Sequence, residues 1–230
     1  MSAQILEWID PTDTIKVVRD QIAAILLLEQ ANQQVLAPLQ VPPKDPELSA
    51  LRVFVGRSNP WAEFTPSPEQ IDATPIVNVS VANDQFDERS SNVVERQKTE
   101  ALFNIDCYGY GVSATDGGAG HIPGDAKAED EALRAGALVR KILMAGHYTY
   151  LGLRGTVWRR WLESRAVLEA PPEVRAVEHV VCMRLVLKVQ FNETAPQVQG
   201  ATMDTINIEV KRTETGEVLF DQTIEVPPPP

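Results

Sequence analysis

The stretch Glu100-Ala101-Leu102-Phe103-Asn104-Ile105-Asp106-Cys107-Tyr108-Gly109-Tyr110 alternates strictly: Phe103, Ile105 and Cys107 fall on one side, Asn104, Asp106, Tyr108 and Tyr110 on the other. Successive side chains of a strand point to opposite faces, so this alternation predicts a strand over Lys98 to Gly111 with one face in a core. A second run of the same kind, Val180 to Phe191, sets Val181, Met183, Leu185, Leu187, Val189 and Phe191 against Arg184, Lys188 and Gln190. Between them Ala128, Ala132, Ala135, Val139, Ile142 and Leu143 recur at helical spacing, which predicts a helix from Asp125, as its cap, to Gly146, as its stop.

Outward from this centre, Ile15, Val18, Ile22 and Ile25 predict an earlier helix from Thr12 to about Gln34, with Asp10-Pro11 as its start. Pro38, Pro42, Pro43 and Pro46 end it in an extended linker. Leu51 to Gly56 and Ile76 to Val81 read as strands. The segment Arg57 to Pro75 between them carries four prolines with Trp61 and Phe64, and reads as a long loop that serves function or is ordered by a partner. Tyr148 to Ala170 fits a short helix or a twisted strand. Thr205 to Arg212 and Val218 to Val226, joined through Glu214-Thr215-Gly216-Glu217, read as a terminal hairpin before a polyproline tail, Pro227 to Pro230.

The expected fold is therefore α+β: a mostly antiparallel sheet with two main helices packed on one face, plus a C-terminal β-hairpin extension. The expected division is 1–192 for the α+β domain and 193–230 for the hairpin and tail. A chain of 230 residues that is 43% hydrophobic can build a substantial core. No apolar run reaches the ~20 residues that a membrane span needs, and the first ten residues lack the basic start of a signal peptide. Cys107 and Cys182 alternate in different phases, so two buried reduced thiols in a cytosolic setting are expected rather than a disulfide. A formal charge of -11 gives no general attraction to phosphate backbones and argues against DNA readout.

Tests for chemistry give no candidate. The loop Asp116-Gly117-Gly118-Ala119-Gly120 follows a strand and precedes a helix, but it ends Pro123-Gly124-Asp125, a carboxylate where a phosphate loop needs Lys and Ser or Thr. It reads as a flexible connection. His121, His147 and His179 share no ligand spacing, and Ser90, Ser91 and Ser113 lack a nucleophile-elbow context. Glu129-Asp130-Glu131 reads as a solvated helix face. No catalytic, cofactor-binding or metal-binding residue is predicted, and an enzyme is not expected. Trp158-Arg159-Arg160-Trp161 concentrates residue types that anchor interfaces, and ordinary core packing of the two tryptophans is the competing reading. With Trp61 and Phe64 of the loop, and Ile206, Ile208 and Val210 of the hairpin, it makes up the candidate protein interface. Strand edges in a late hairpin are templates for a neighbouring chain.

The succession of an N-terminal helix, early strands, the strand Glu100 to Tyr110 leading into an Ala/Glu-rich helix, and a long strand ending Val189-Gln190-Phe191-Asn192-Glu193 resembles the tail terminator or tail completion proteins of tailed bacteriophages. The resemblance covers about residues 12 to 193 and rests on patterns of shape and hydrophobicity, with no catalytic residues to carry over. It implies a virion protein of the tail-neck region, assembled in the host cytoplasm as a homo-oligomer, a hexameric ring. Such a ring caps the tail tube, meets a neck or connector protein, in contractile tails meets the sheath protein too, and lets DNA pass without specific binding. The loop Arg57 to Pro75 and the hairpin after Asn192 depart from the family pattern. The alternatives left open are another head-to-tail completion, neck or minor tail protein, or a protein-binding module that does not assemble.

Overall fold

The computed structural model describes residues 8–65, 71–86, 96–115, 121–168, 179–194, 205–211 and 218–225. The chain divides into two units, Asp10–Ala195 and a second made of Met1–Ile9 with Pro196–Pro230. The larger unit is an α+β fold on one five-stranded sheet. Its strands are β1 (Arg52–Val55), β2 (Ile76–Phe86), β3 (Arg96–Gly111), β6 (Val157–Leu168) and β7 (His179–Thr194), in the order β1-β2-β3-β7-β6. Only β1 and β2 run parallel; every other pairing in this sheet is antiparallel. The short strands β4 (Ala114–Thr115) and β5 (His121–Ile122) pair with each other, and β8 (Thr205–Lys211) pairs with β9 (Val218–Glu225) in a two-stranded sheet of the second unit.

The alternation read from the sequence becomes rows across the sheet. Val77, Cys107 and Met183 face one another along one row, and Val79, Ile105 and Leu185 along the next. All six are buried, under helices α1 (Thr14–Leu36) and α2 (Gly124–Met144). Val18, Ile22, Ile25 and Leu26 of α1 and Ala132, Ala135, Val139 and Leu143 of α2 close the same core, so both helices cover one face. Each fully buried Leu, Ile or Phe here contributes ~1.5–3 kcal/mol relative to exposure. The alanine stripe of α2 has a partner on β3 that sequence reading passed over. A Cβ at Gly109 would lie 2.1 Å from the Ala128 carbonyl oxygen, and one at Gly111 would lie 2.0 Å from that of Gly124. Glycine on the strand and alanine on the helix together allow this close approach.

Three local expectations are corrected. Helix α1 starts at Thr14 with Asp13 as its cap, whose carboxylate accepts from Ile15 N, because Asp10 is engaged two residues earlier by Thr12 N at 2.9 Å. Helix α2 begins one residue before Asp125, at Gly124, and ends at Met144 rather than at Gly146, which opens a 3-10 turn. The ambiguous segment resolves as the edge strand β6, because β7 offers it a full antiparallel partner from Val157 opposite Phe191 to Leu168 opposite Cys182. Both cysteines are buried and free, as expected. The glycine-rich turn 116–120, residues 212–217 and the tail 227–230 lie outside the described residues.

Candidate functional site

The face of the sheet away from the helices is divided along its length. At one end the loop after β1 folds back on it: Phe64 is wholly buried in a cluster with Ile76, Tyr108, Tyr110, Val180 and Cys182, and Trp61 packs against its edge. Ring centroids are 5.2 Å apart for Phe64 and Tyr110 and 5.7 Å for Trp61 and Tyr108. Arg52 holds the loop in place. Its guanidinium donates to the carbonyls of Glu63, Asp72 and Thr74 at 2.9–3.2 Å, pairs with the Asp72 carboxylate at 3.0 Å, and lies over the Phe64 ring. Asn78, buried on β2, accepts from Arg57 N and donates to Arg57 O, replacing a strand partner. These contacts correct two expectations about this segment. Its described residues are ordered by the chain itself, and Phe64 is core rather than surface.

Burial among these rings pushes the Tyr108 hydroxyl well up and the Cys182 thiol up to about 12, and drives the Cys107 thiol up on the opposite face. Both cysteines are therefore neutral, unreactive fillers. Next along the face Asp106, buried on β3, receives two hydrogen bonds from Arg184 of β7 at 2.6 and 2.8 Å. Burying a carboxylate demands such a partner, and the fork geometry of arginine supplies both bonds at once.

Beyond Asp106 the described residues leave the face partly exposed, and there β6 presents Trp158-Arg159-Arg160-Trp161. A bulge between Val157 and Arg159 inserts one extra residue opposite β7, which brings Trp158 and Arg159 to the open side together. Trp158 is 43% exposed, with Lys98 Nζ 5.7 Å from its ring centre. Arg159 Cζ lies 4.8 Å and Lys188 Nζ 5.6 Å from the ring centre of Trp161. Lys188 also pairs with Glu100 at 2.7 Å and Glu163 at 3.2 Å, while Gln190 donates to Glu100 at 2.7 Å. The Lys188 hydrogen bond, then that of Gln190, holds the Glu100 carboxyl below its usual range, and the same Glu100 bond raises Lys188. The result is a set of cations arrayed on two indole rings, with Arg159 exposed.

Arg160 is the exception in the motif. In the opposite phase it turns to the helix side, donates to Tyr148 O at 2.5 Å and Ala145 O at 2.8 Å, and so caps the carbonyl end of α2. Within the subunit it acts as a clamp, because free carbonyls past a helix end attract a cation more closely than solvent does. Ile206, Ile208 and Val210 pair in register with Ile224, Gln222 and Phe220 within the second unit.

The sequence offers Ser113 only as a serine without a nucleophile-elbow context, and the structure gives it a capping role. Its hydroxyl accepts from Gly124 N at 3.1 Å, serving the start of α2 where Pro123 offers no side-chain cap, and lies 3.5 Å from His179 Nε2. A cleft of about 300 Å³ between the linker, β3 and α2 is lined by Asp45, Glu47, Lys127, Glu131 and Arg134. There Arg134 is bound to Glu131 at 2.5 Å and to the Leu48 carbonyl. Among the described residues no group of three or more His, Cys, Asp or Glu side chains is placed to hold a metal ion, and no helix is long and apolar enough to cross a membrane. No family model matches the chain, and the comparison with curated proteins gave no match.

Proposed function

We propose that this protein is a structural virion subunit, a tail terminator that forms a ring, a hexamer by family resemblance, on the end of the tail tube and joins it to the neck or connector proteins. The observation that supports this reading is the open half of the sheet face on the edge strand β6. Trp158, Arg159 and Trp161 combine exposed aromatic area with cations there, the composition of protein-binding hot spots. An edge strand beside it leaves backbone groups free for a neighbour. The acidic balance of -11 suits a ring through which DNA slides without being held.

The test is to add purified protein to growing tail tubes and image the product. Tubes that stop growing and end in a six-membered ring support the reading. Unchanged tube growth with protein free in solution refutes it. The substitution Trp158→Ala with Arg159→Ala is expected to leave a folded subunit that no longer joins its partner, read by co-sedimentation with finished tails.

A further inference from the structure

Helix α1 is apolar on two sides. Its inner side enters the core through Val18, Ile22, Ile25 and Leu26. Its outer side carries the exposed Val17, Ala24, Leu28, Ala31 and Val35, with the half-buried Gln21 completing steps of four and three along the helix, and Leu28 and Val35 are 64% and 68% exposed. A stripe with that mean step is the pattern by which two helices pair lengthwise. We propose that this outer stripe of α1 pairs with the α1 helix of a second copy of this chain, antiparallel about a two-fold axis.

Three observations favour a second copy as the occupant. The six positions hold no charged residue, and a chain of formal charge -11 meets its own copy with least repulsion where carboxylates are absent. The acids nearest the stripe are engaged within the subunit: Asp20 by Lys16 at 2.9 Å and Arg19 at 2.7 Å, Glu29 by the Tyr148 hydroxyl at 2.5 Å, and the cap Asp13 by Ile15 N at 3.1 Å. The stripe is also self-complementary when reversed on itself: Leu28 then faces Ala24 of the copy, Gln21 faces Ala31 and Val17 faces Val35, so a large side chain meets a small one in the first two layers. A parallel pairing would set Leu28 on Leu28 and leave gaps at the alanines. The stripe measures roughly 27 Å by ~10 Å from helix geometry, a patch on the order of 300 Å² that Leu27 and Leu39 widen. That is below the ~800 Å² per partner of a standard interface, so the proposed pairing requires further contacts outside the stripe.

A two-fold contact closes at two copies, so it joins subunits in pairs, or two rings to each other, and stands apart from the ring contact of the proposed function. The test is mass photometry and sedimentation of the full chain, beside the variant Leu28→Gln/Val35→Gln. The wild type is expected as dimers or even multiples, and the variant at half that mass with an unchanged circular dichroism melt. As a second measurement, the separate variants Ala24→Cys and Leu28→Cys are mixed and oxidised, and a covalent dimer between the two is expected. A wild type that stays monomeric, an unchanged mass in the variant, or a mixture that does not cross-link overturns the proposal. Dimers without any ring on the tube would refute the tail terminator reading and leave this one standing.

Discussion

Helices α1 and α2 are nearly equal in length, 23 and 21 residues, and cover the same face of the sheet, yet they treat solvent differently. The outer side of α2 carries Asp125, Lys127, Glu129, Asp130, Arg140 and Lys141, all exposed. The outer side of α1 carries Val17, Ala24, Leu28 and Val35. The exposed large apolar residues of α2, Leu133 and Met144 at 37% and 47%, are fewer and less exposed than those of α1, where Leu27, Leu28 and Val35 reach 47%, 64% and 68%. The difference separates residues that make the fold from residues left over for association. It also locates the leftover surface on a helix that sequence reading treats as an ordinary core element.

The strongest way to break this comparison is to truncate α1 on each side in turn. Leu26→Ala is expected to cost about 3 kcal/mol of subunit stability, as buried leucine truncations do, and Leu28→Ala to stay within about 0.5 kcal/mol. Urea denaturation at a protein concentration low enough to hold the subunit apart measures both. Equal losses would mean that the outer stripe is core. For α2 the sensitive point is its seat on β3. Gly109→Ala puts a methyl against the Ala128 carbonyl and is expected to cost about 2 kcal/mol through displaced backbone, read by the same denaturation midpoint.

The caps differ as well. Asp13→Ala removes the side-chain acceptor at the start of α1 and is expected to cost about 1 kcal/mol, read as a lower thermal midpoint. Pro123 of α2 has no such bond to lose, so Pro123→Ala is expected to move the midpoint less.

The smallest effect concerns the tie between α1 and the turn after α2, where Tyr148 donates to Glu29 at 2.5 Å. The Tyr148 hydrogen bond, then that of Asn32, lowers the Glu29 carboxyl, and burial, then the bond to Glu29, pushes Tyr148 up to about 12. Because Glu29 is lowered when folded, its contribution is present above its ordinary 4.5 and is lost as pH falls through the lowered value. Because Tyr148 is raised, its contribution is present below its ordinary 10.0 and is lost as pH rises towards about 12. The stability advantage of wild type over Tyr148→Phe is therefore expected to be flat from about pH 5 to about pH 9 and to narrow outside that window. A constant difference at every pH would show that the bond contributes nothing through titration.

What the sequence determined by itself was the direction each residue faces within its element. Alternation placed Phe103, Ile105 and Cys107 together and kept Cys182 out of phase with Met183, and the structure has both arrangements. Helical spacing likewise marked the inner stripes of α1 and α2, which form the core. These patterns are legible because a strand or helix repeats its geometry every few residues, and a core imprints hydrophobicity at that repeat. Which faces meet is a different matter, decided only by the tertiary structure. Trp61 and Phe64 looked like loop residues waiting for a partner until the chain's own sheet, Arg52 and Asn78 took them up. Arg159 and Arg160 are neighbours with the same chemistry, and the bulge in β6 sends one to the open face and the other to the end of α2. The contacts that decide these outcomes join positions such as Arg160 with Ala145 and Arg52 with Asp72. They have no repeat to reveal them, since each depends on where the whole sheet places two segments whose local patterns are independent.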